Sequence, residues 1–191
     1  MHLGALRHLA AVVKSILPET DVVVFGSSSV LASFPEEGQE GGAIETSRDA
    51  DFVPQPFAEE IAWLLHETVG KGNRFHQHWG YYADIVRPEA FEQFPPGWRD
   101  RLVPLDGFDR VWCLEPHDMA AAKCLAGRPK DTEQLGGLAA KGKIDLDLVH
   151  QRLWSMDLVE KMIVHTQASL QRVRERAAEI VAVLSEKSLP S

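Results

Sequence analysis

Val22-Val23-Val24-Phe25 is the segment that most narrows the folds open to this chain. An unbroken apolar run rich in β-branched residues describes a strand buried in a sheet. It stops at Gly26-Ser27-Ser28-Ser29, a tight-turn composition whose serines can start a short helix over Ser28 to Ser33. A second apolar run, Ala50 to Val53, is headed by Arg48-Asp49-Ala50-Asp51. Residues two apart in a strand share a face, so Asp49 and Asp51 present two carboxylates side by side. Two like charges that close are costly unless a cation sits between them. The Gly-Ser turn adds backbone N–H groups and hydroxyls, which suit phosphate. The expectation is a metal site beside a phosphate cradle.

The chain has 191 residues, enough for one substantial core with a small helical appendage. Its 45% apolar and 25% charged residues are those of an ordinary globular protein. No stretch approaches the length of a membrane-spanning helix, and the N-terminus lacks a signal peptide's apolar core, so a cytoplasmic, membrane-free protein is expected. Cys113 and Cys124 lie in apolar segments without metal spacing and read as reduced core thiols. The formal charge of −8 argues against a general nucleic-acid-binding surface, which needs Lys and Arg to neutralise phosphate.

Apolar residues from Leu3 to Leu17 recur at helical spacing, so residues 2 to 17 are read as an amphipathic helix closed by Pro18. The Pro, Glu, Gly and Gln rich stretch 35 to 48 is read as a mobile loop. The strand at 50 to 53 should stop at Pro54. A helix follows over 57 to 69, then two strands at Arg74 to His76 and Tyr81 to Val86, and another at Arg110 to Leu114. Beyond Pro116 helical patterns dominate: 117 to 125, 130 to 141, 145 to 154 and 157 to 187. The last carries a narrow stripe (Val159, Ile163, Thr166, Leu170, Val173, Ala177, Ile180, Leu184) that suits either packing on its own domain or a homodimer contact. Two parts are expected: an α/β core over 1–115 and a C-terminal helical region over 116–191.

Asp84 lies inside the strand pattern Tyr81 to Val86, where aspartate is disfavoured, and a metal cluster with Asp49 and Asp51 would explain it. The order of these signals resembles the nucleotidyltransferase superfamily, and in particular is similar to its small prokaryotic AbiEii-type toxins and minimal nucleotidyltransferases. The resemblance rests on Gly26-Ser27, Asp49-Ala50-Asp51, Asp84, and the block from Leu114-Glu115-Pro116 through Lys123 to Arg128-Pro129-Lys130-Asp131. It covers roughly residues 20 to 140. The interval from Ser27 to Asp49 is longer than the family pattern.

The resemblance implies a mixed sheet flanked by helices and a metal-dependent transfer of a nucleoside monophosphate from a nucleoside triphosphate to a hydroxyl. Asp49 and Asp51 would hold Mg²⁺, and Asp84 would complete a second metal site or take the acceptor's proton. Gly26, Ser27 and Ser28 would cradle phosphates, and Lys123 would neutralise the triphosphate's charge. The acceptor, a tRNA end, a protein hydroxyl or a small molecule, is not readable, and an antitoxin partner is suggested by resemblance alone. The alternative is a catalytically degenerate nucleotidyltransferase-fold protein that binds a partner or dimerises through 157–187. His76 and His78 alternate as zinc ligands would on a strand, but no third ligand has suitable spacing.

Overall fold

The computed structural model describes residues 1–187 and divides into two units: Met1–Glu92 with Trp98–Glu115, and Gln93–Gly97 with the residues from Pro116 on. The first unit is built on a five-stranded mixed sheet: β1 (Asp21–Phe25), β2 (Asp49–Gln55), β3 (Tyr82–Ile85), β4 (Val103–Pro104) and β5 (Val111–Cys113), in the order β3-β2-β1-β5-β4. β1 runs antiparallel to β2 and parallel to β5, β2 runs parallel to β3, and β4 runs antiparallel to β5. The central place of β1 explains its composition. Val22, Val23 and Val24 are all buried, as a strand covered on both faces requires.

Three helices belong to this unit: α1 (Leu3–Ile16), α2 (Glu59–Val69) and α3 (Arg74–Trp79). The buried stripe of α1 is Ala5, Leu6, Leu9, Ala10 and Val13, the face its periodicity predicts. Two expectations fail here. Arg74 to His76 is helical, because the Asn73 side chain accepts the His76 N–H at 2.9 Å and Gly80 closes the turn with φ 74°. β2 continues through Pro54, paired with Val22. Proline is tolerated because its missing donor falls on the β3 side: Val86 N–H donates to the Phe52 carbonyl at 2.9 Å, and the next rung would need a Pro54 N–H, so β3 stops.

The stretch from 35 to 48 is a packed strap. A 3₁₀ turn over Pro35–Gly38 buries Glu37 and Gly38, and Ile44 is 1% exposed. The Glu37 carboxylate accepts the Ala43 N–H at 2.8 Å, and the Ile44 N–H donates to the Glu37 carbonyl at 3.0 Å. The Met1 ammonium donates to the carbonyls of Ile44, Glu45 and Ser47. A methyl on Gly38 would stand 2.4 Å from the Met1 carbonyl oxygen, so glycine is required there. The loop expected to be mobile is tied at both ends and through its middle.

The second unit is helical: α4 (Pro116–Ala126), α5 (Pro129–Ala140), α6 (Leu146–Trp154) and α7 (Glu160–Lys187). α7 packs closely on α5, where Gly136 faces Arg176. The centre of the α7 stripe is buried, with Thr166, Leu170, Val173 and Ala177 all under 10% exposed, while Val159 and Leu184 are open. Burial pushes the Cys113 and Cys124 thiols up to about 12, which makes both inert at neutral pH. No described helix is long and apolar enough to cross a membrane.

Candidate active site

The register of β2 and β3 settles which candidate residues share a face. Asp51 lies opposite Asp84 and Asp49 opposite Tyr82, while Ala50 and Ala83 face the other way. Asp49, Asp51, Tyr82 and Asp84 therefore occupy adjacent positions on one face at one end of the sheet. Further along that face of β2 and β1 stand Val53 and Val23, both buried. The carboxylates begin where this apolar cover ends: Asp49 and Asp51 are half-buried and Asp84 is exposed.

Each acid is held differently. Ser47 Oγ donates to Asp49 Oδ1 at 3.1 Å, and the Ser28 hydroxyl donates to the Asp49 backbone carbonyl, pinning the start of β2 to the turn after β1. Asp51 depends on Gly26. An added Cβ at Gly26 would stand 2.1 Å from Asp51 Oδ2, and Gly26 has φ 69°, which L side chains rarely adopt. The carboxylate thus fills the space a side chain would take, and the turn and the second acid are one construction. Behind Gly26 the chain enters a 3₁₀ turn over Ser27–Ala32, with Ser29 Oγ donating to the Gly26 carbonyl at 2.9 Å. Ser27 is half-buried, whereas Ser28 is 1% exposed with its hydroxyl committed to β2. Ser28 shapes the turn, and any phosphate contact from it falls to its backbone.

Tyr82 belongs to the site and was not singled out from the sequence, although its position two before Asp84 in a strand was signal enough. Burial, and then the charges of Asp49, Asp84 and Asp51, push its phenol above the usual tyrosine range. The Lys71 ammonium lies 5.7 Å from the centre of the Tyr82 ring, and the His76 ring meets it edge-on at 4.8 Å. These bring a cation to the rim of an otherwise acidic face.

Among the described residues, no three His, Cys, Asp or Glu side chains converge as closely as the ligands of a closed metal site do. Mg²⁺ does not require such a cage. It keeps several waters and binds through one or two carboxylates plus substrate phosphates, and the donors here are all hard oxygens. The pair Asp49 and Asp51, with Asp84 across the register, fits that requirement.

Lys123 lies in the second unit, with its side chain 7% exposed and its ammonium on Asp131 Oδ1. Arg128 Nε binds the other Asp131 oxygen at 2.7 Å. Burial lowers the Lys123 pKa against the pull of Asp131. Burial works against the Asp131 charge as well, yet Lys123 and Arg128 outweigh it and hold that carboxyl below the usual range. Two cations on one carboxylate leave a single positive charge, carried by the half-exposed Arg128.

The model of a family described as a nucleotidyltransferase of unknown function (DUF6036) matches residues 2–177. No curated protein and no solved structure matches the chain.

Proposed function

Since the chain belongs to this DUF6036 nucleotidyltransferase family, we propose that its carboxylate face carries out metal-dependent transfer of a nucleoside monophosphate from a nucleoside triphosphate to a hydroxyl acceptor. The observation that carries the reading is the register pairing of Asp51 with Asp84 beside the Gly26 turn that Asp51 fills. Bound Mg²⁺ would be held by Asp49 and Asp51, with Asp84 available to a second ion, and would supply charge neutralisation at the triphosphate.

The chain's own residues do the rest. Ser47 and Ser28 fix Asp49, so its carboxylate meets the substrate complex without first being ordered. The backbone of Ser27 and Ser28 would approach phosphate, while the space beside Gly26 is taken by the Asp51 carboxylate. Where it holds no second ion, Asp84, the exposed acid, would accept the proton of the acceptor hydroxyl. The acceptor oxygen bonds to the α-phosphorus, the bond between the α-phosphorus and the bridging oxygen to the β-phosphate breaks, and pyrophosphate leaves. Lys71, held over Tyr82, is a cation for the phosphates within the same unit. Lys123 is matched to Asp131 in the other unit, so the reading rests on first-unit residues.

Charge bears on the acceptor. The first unit contains nine Lys and Arg against eighteen Asp and Glu. That balance favours a protein hydroxyl or a small molecule over a polyanionic tRNA end.

Calorimetry with ATP, CTP, GTP and UTP, with Mg²⁺ and with EDTA, tests the reading. Binding that needs Mg²⁺ and disappears in Asp49→Asn/Asp51→Asn supports it, and its absence for every nucleotide removes it. Incubation of labelled nucleotide with cell extract would then identify what is modified.

A further inference from the structure

The helical unit carries a cleft that this reading does not use. About 430 Å³ of open space lies between α6 and α7, walled by His150 and Trp154 from α6 and by Gln167, Leu170, Gln171 and Arg174 from α7. Small-molecule sites span roughly 300–1,000 Å³, so the volume suffices for one mononucleotide-sized ligand. His150 and Trp154, one helical turn apart, lie with ring centroids 4.3 Å apart and planes 18° apart. The two rings stack on each other and cover one face of each, and with Trp154 41% exposed its remaining surface is not covered by the protein's own core. Leu170, 2% exposed, supplies an apolar floor.

The polar groups are only partly committed. Gln171 donates its amide to Glu175 at 3.0 Å, which leaves its carbonyl oxygen as an acceptor. Arg174 gives one nitrogen to Asp147 at 2.9 Å and retains its other N–H donors. The Gln167 amide has no hydrogen-bonding partner among the described residues. A stacked aromatic pair with an exposed tryptophan, amides that can both donate and accept, and a guanidinium are the groups that recognise a stacked base, its edge and a phosphate. The charge distribution agrees. The helical unit has eleven Lys and Arg against ten Asp and Glu, so the acidity of the chain lies in the other unit.

We propose that the cleft between α6 and α7 binds a nucleobase bearing a phosphate, either as a free nucleotide or as a residue of a single-stranded nucleic acid, without a metal ion. The base extends this stack from the outer face of Trp154, the Gln167 and Gln171 amides read its edge, and Arg174 takes the phosphate. All of these residues belong to one unit, and the site does not depend on the carboxylate face.

The test is calorimetry on the full chain in EDTA, which silences any metal-dependent site, with AMP, adenosine, inorganic phosphate and a short oligoadenylate as probes. AMP should bind more tightly than adenosine or phosphate alone. Trp154→Ala should weaken AMP binding about tenfold or more, while Trp154→Phe, which keeps a stacking face, retains most of it. Arg174→Ala should bring AMP down to the level of adenosine. Asp49→Asn/Asp51→Asn should leave these affinities unchanged, which separates this site from the proposed catalytic one. Oligoadenylate binding more tightly than AMP would identify a nucleic-acid strand as the source, and equal binding a free nucleotide. Failure of both AMP and oligoadenylate to bind in EDTA overturns the proposal. So does binding that survives both Trp154→Ala and Arg174→Ala in variants with unchanged melting temperature. Self-association that Trp154→Ala dissolves would overturn it too, because the cleft would then be a contact between copies.

Discussion

Gly26 shows how far one residue can determine a site. Its φ of 69° admits glycine readily, and the place of its missing Cβ is filled by Asp51. Gly26→Ala should cost about 1–3 kcal/mol of stability from backbone strain. It should also weaken Mg²⁺-dependent nucleotide binding at least tenfold, because the methyl displaces the carboxylate. Urea melts and calorimetry on the same variant separate the two effects, and retained affinity would show that Asp51 is not needed in its present place. Asp131 makes the complementary case in the helical unit. Removing its charge with Asp131→Asn leaves the buried Lys123 ammonium unmatched, at a cost of about 3–5 kcal/mol. Lys123→Met should cost less, since Arg128 still answers Asp131. The pH dependence has a definite sign. With its folded pKa held below the ordinary value, Asp131 contributes fully above the usual carboxylate range, and that stability is lost as pH falls through the lower folded value. Urea midpoints measured from about pH 5 to about pH 2.5 should fall less steeply in Asp131→Asn than in the wild type.

Legibility at the scale of elements followed how local the deciding interaction is. The stripe of α1 and the apolar run of β1 were readable, because their burial repeats with the period of the element itself. α3 was missed although Asn73 and Gly80 were in plain view, since Phe75 and the alternating His76 and His78 imitated a strand. The strap from 35 to 48 could not be read, because its order comes from distant partners such as the Met1 ammonium on Ser47. The Asp49 and Asp51 pair was legible from strand alternation, but the alignment of Asp84 with Asp51 depends on a β2–β3 pairing that sequence does not specify. Two substitutions test the element-level account. Asn73→Ala removes the α3 cap together with two donations to the His66 and Glu67 carbonyls at the end of α2, and should cost about 1–2 kcal/mol in a urea melt. Gly136→Ala sets two effects against each other. Helix propensity favours alanine by about 1 kcal/mol, yet the new Cβ would stand 2.6 Å from Arg176 Cγ and 3.4 Å from the Ala177 nitrogen. Overpacking of this kind costs about 1–3 kcal/mol, so the melting temperature should fall. A rise would mean that α5 and α7 part at little cost.

For the molecule as a whole, the uneven charge of the two units ties the proposed chemistry to a cation. With eighteen acids against nine bases in the first unit, a nucleoside triphosphate approaching the Asp49, Asp51 and Asp84 face without a metal ion meets repulsion from the site and from the unit that carries it. The same field gathers divalent cations. Mg²⁺ affinity should therefore contain a local part, set by Asp49 and Asp51, and a long-range part set by the remaining acids. Salt distinguishes them, because the screening length falls from about 30 Å at 0.01 M to about 10 Å at 0.1 M while contacts inside the site are screened far less. Calorimetric Mg²⁺ affinity without nucleotide should fall several-fold over that range in the wild type. Asp49→Asn/Asp51→Asn should be weaker at both concentrations and keep its residual salt dependence. A Mg²⁺ affinity indifferent to the double substitution would place the cation elsewhere in the acidic unit, and the carboxylate face would lose its claim to the chemistry.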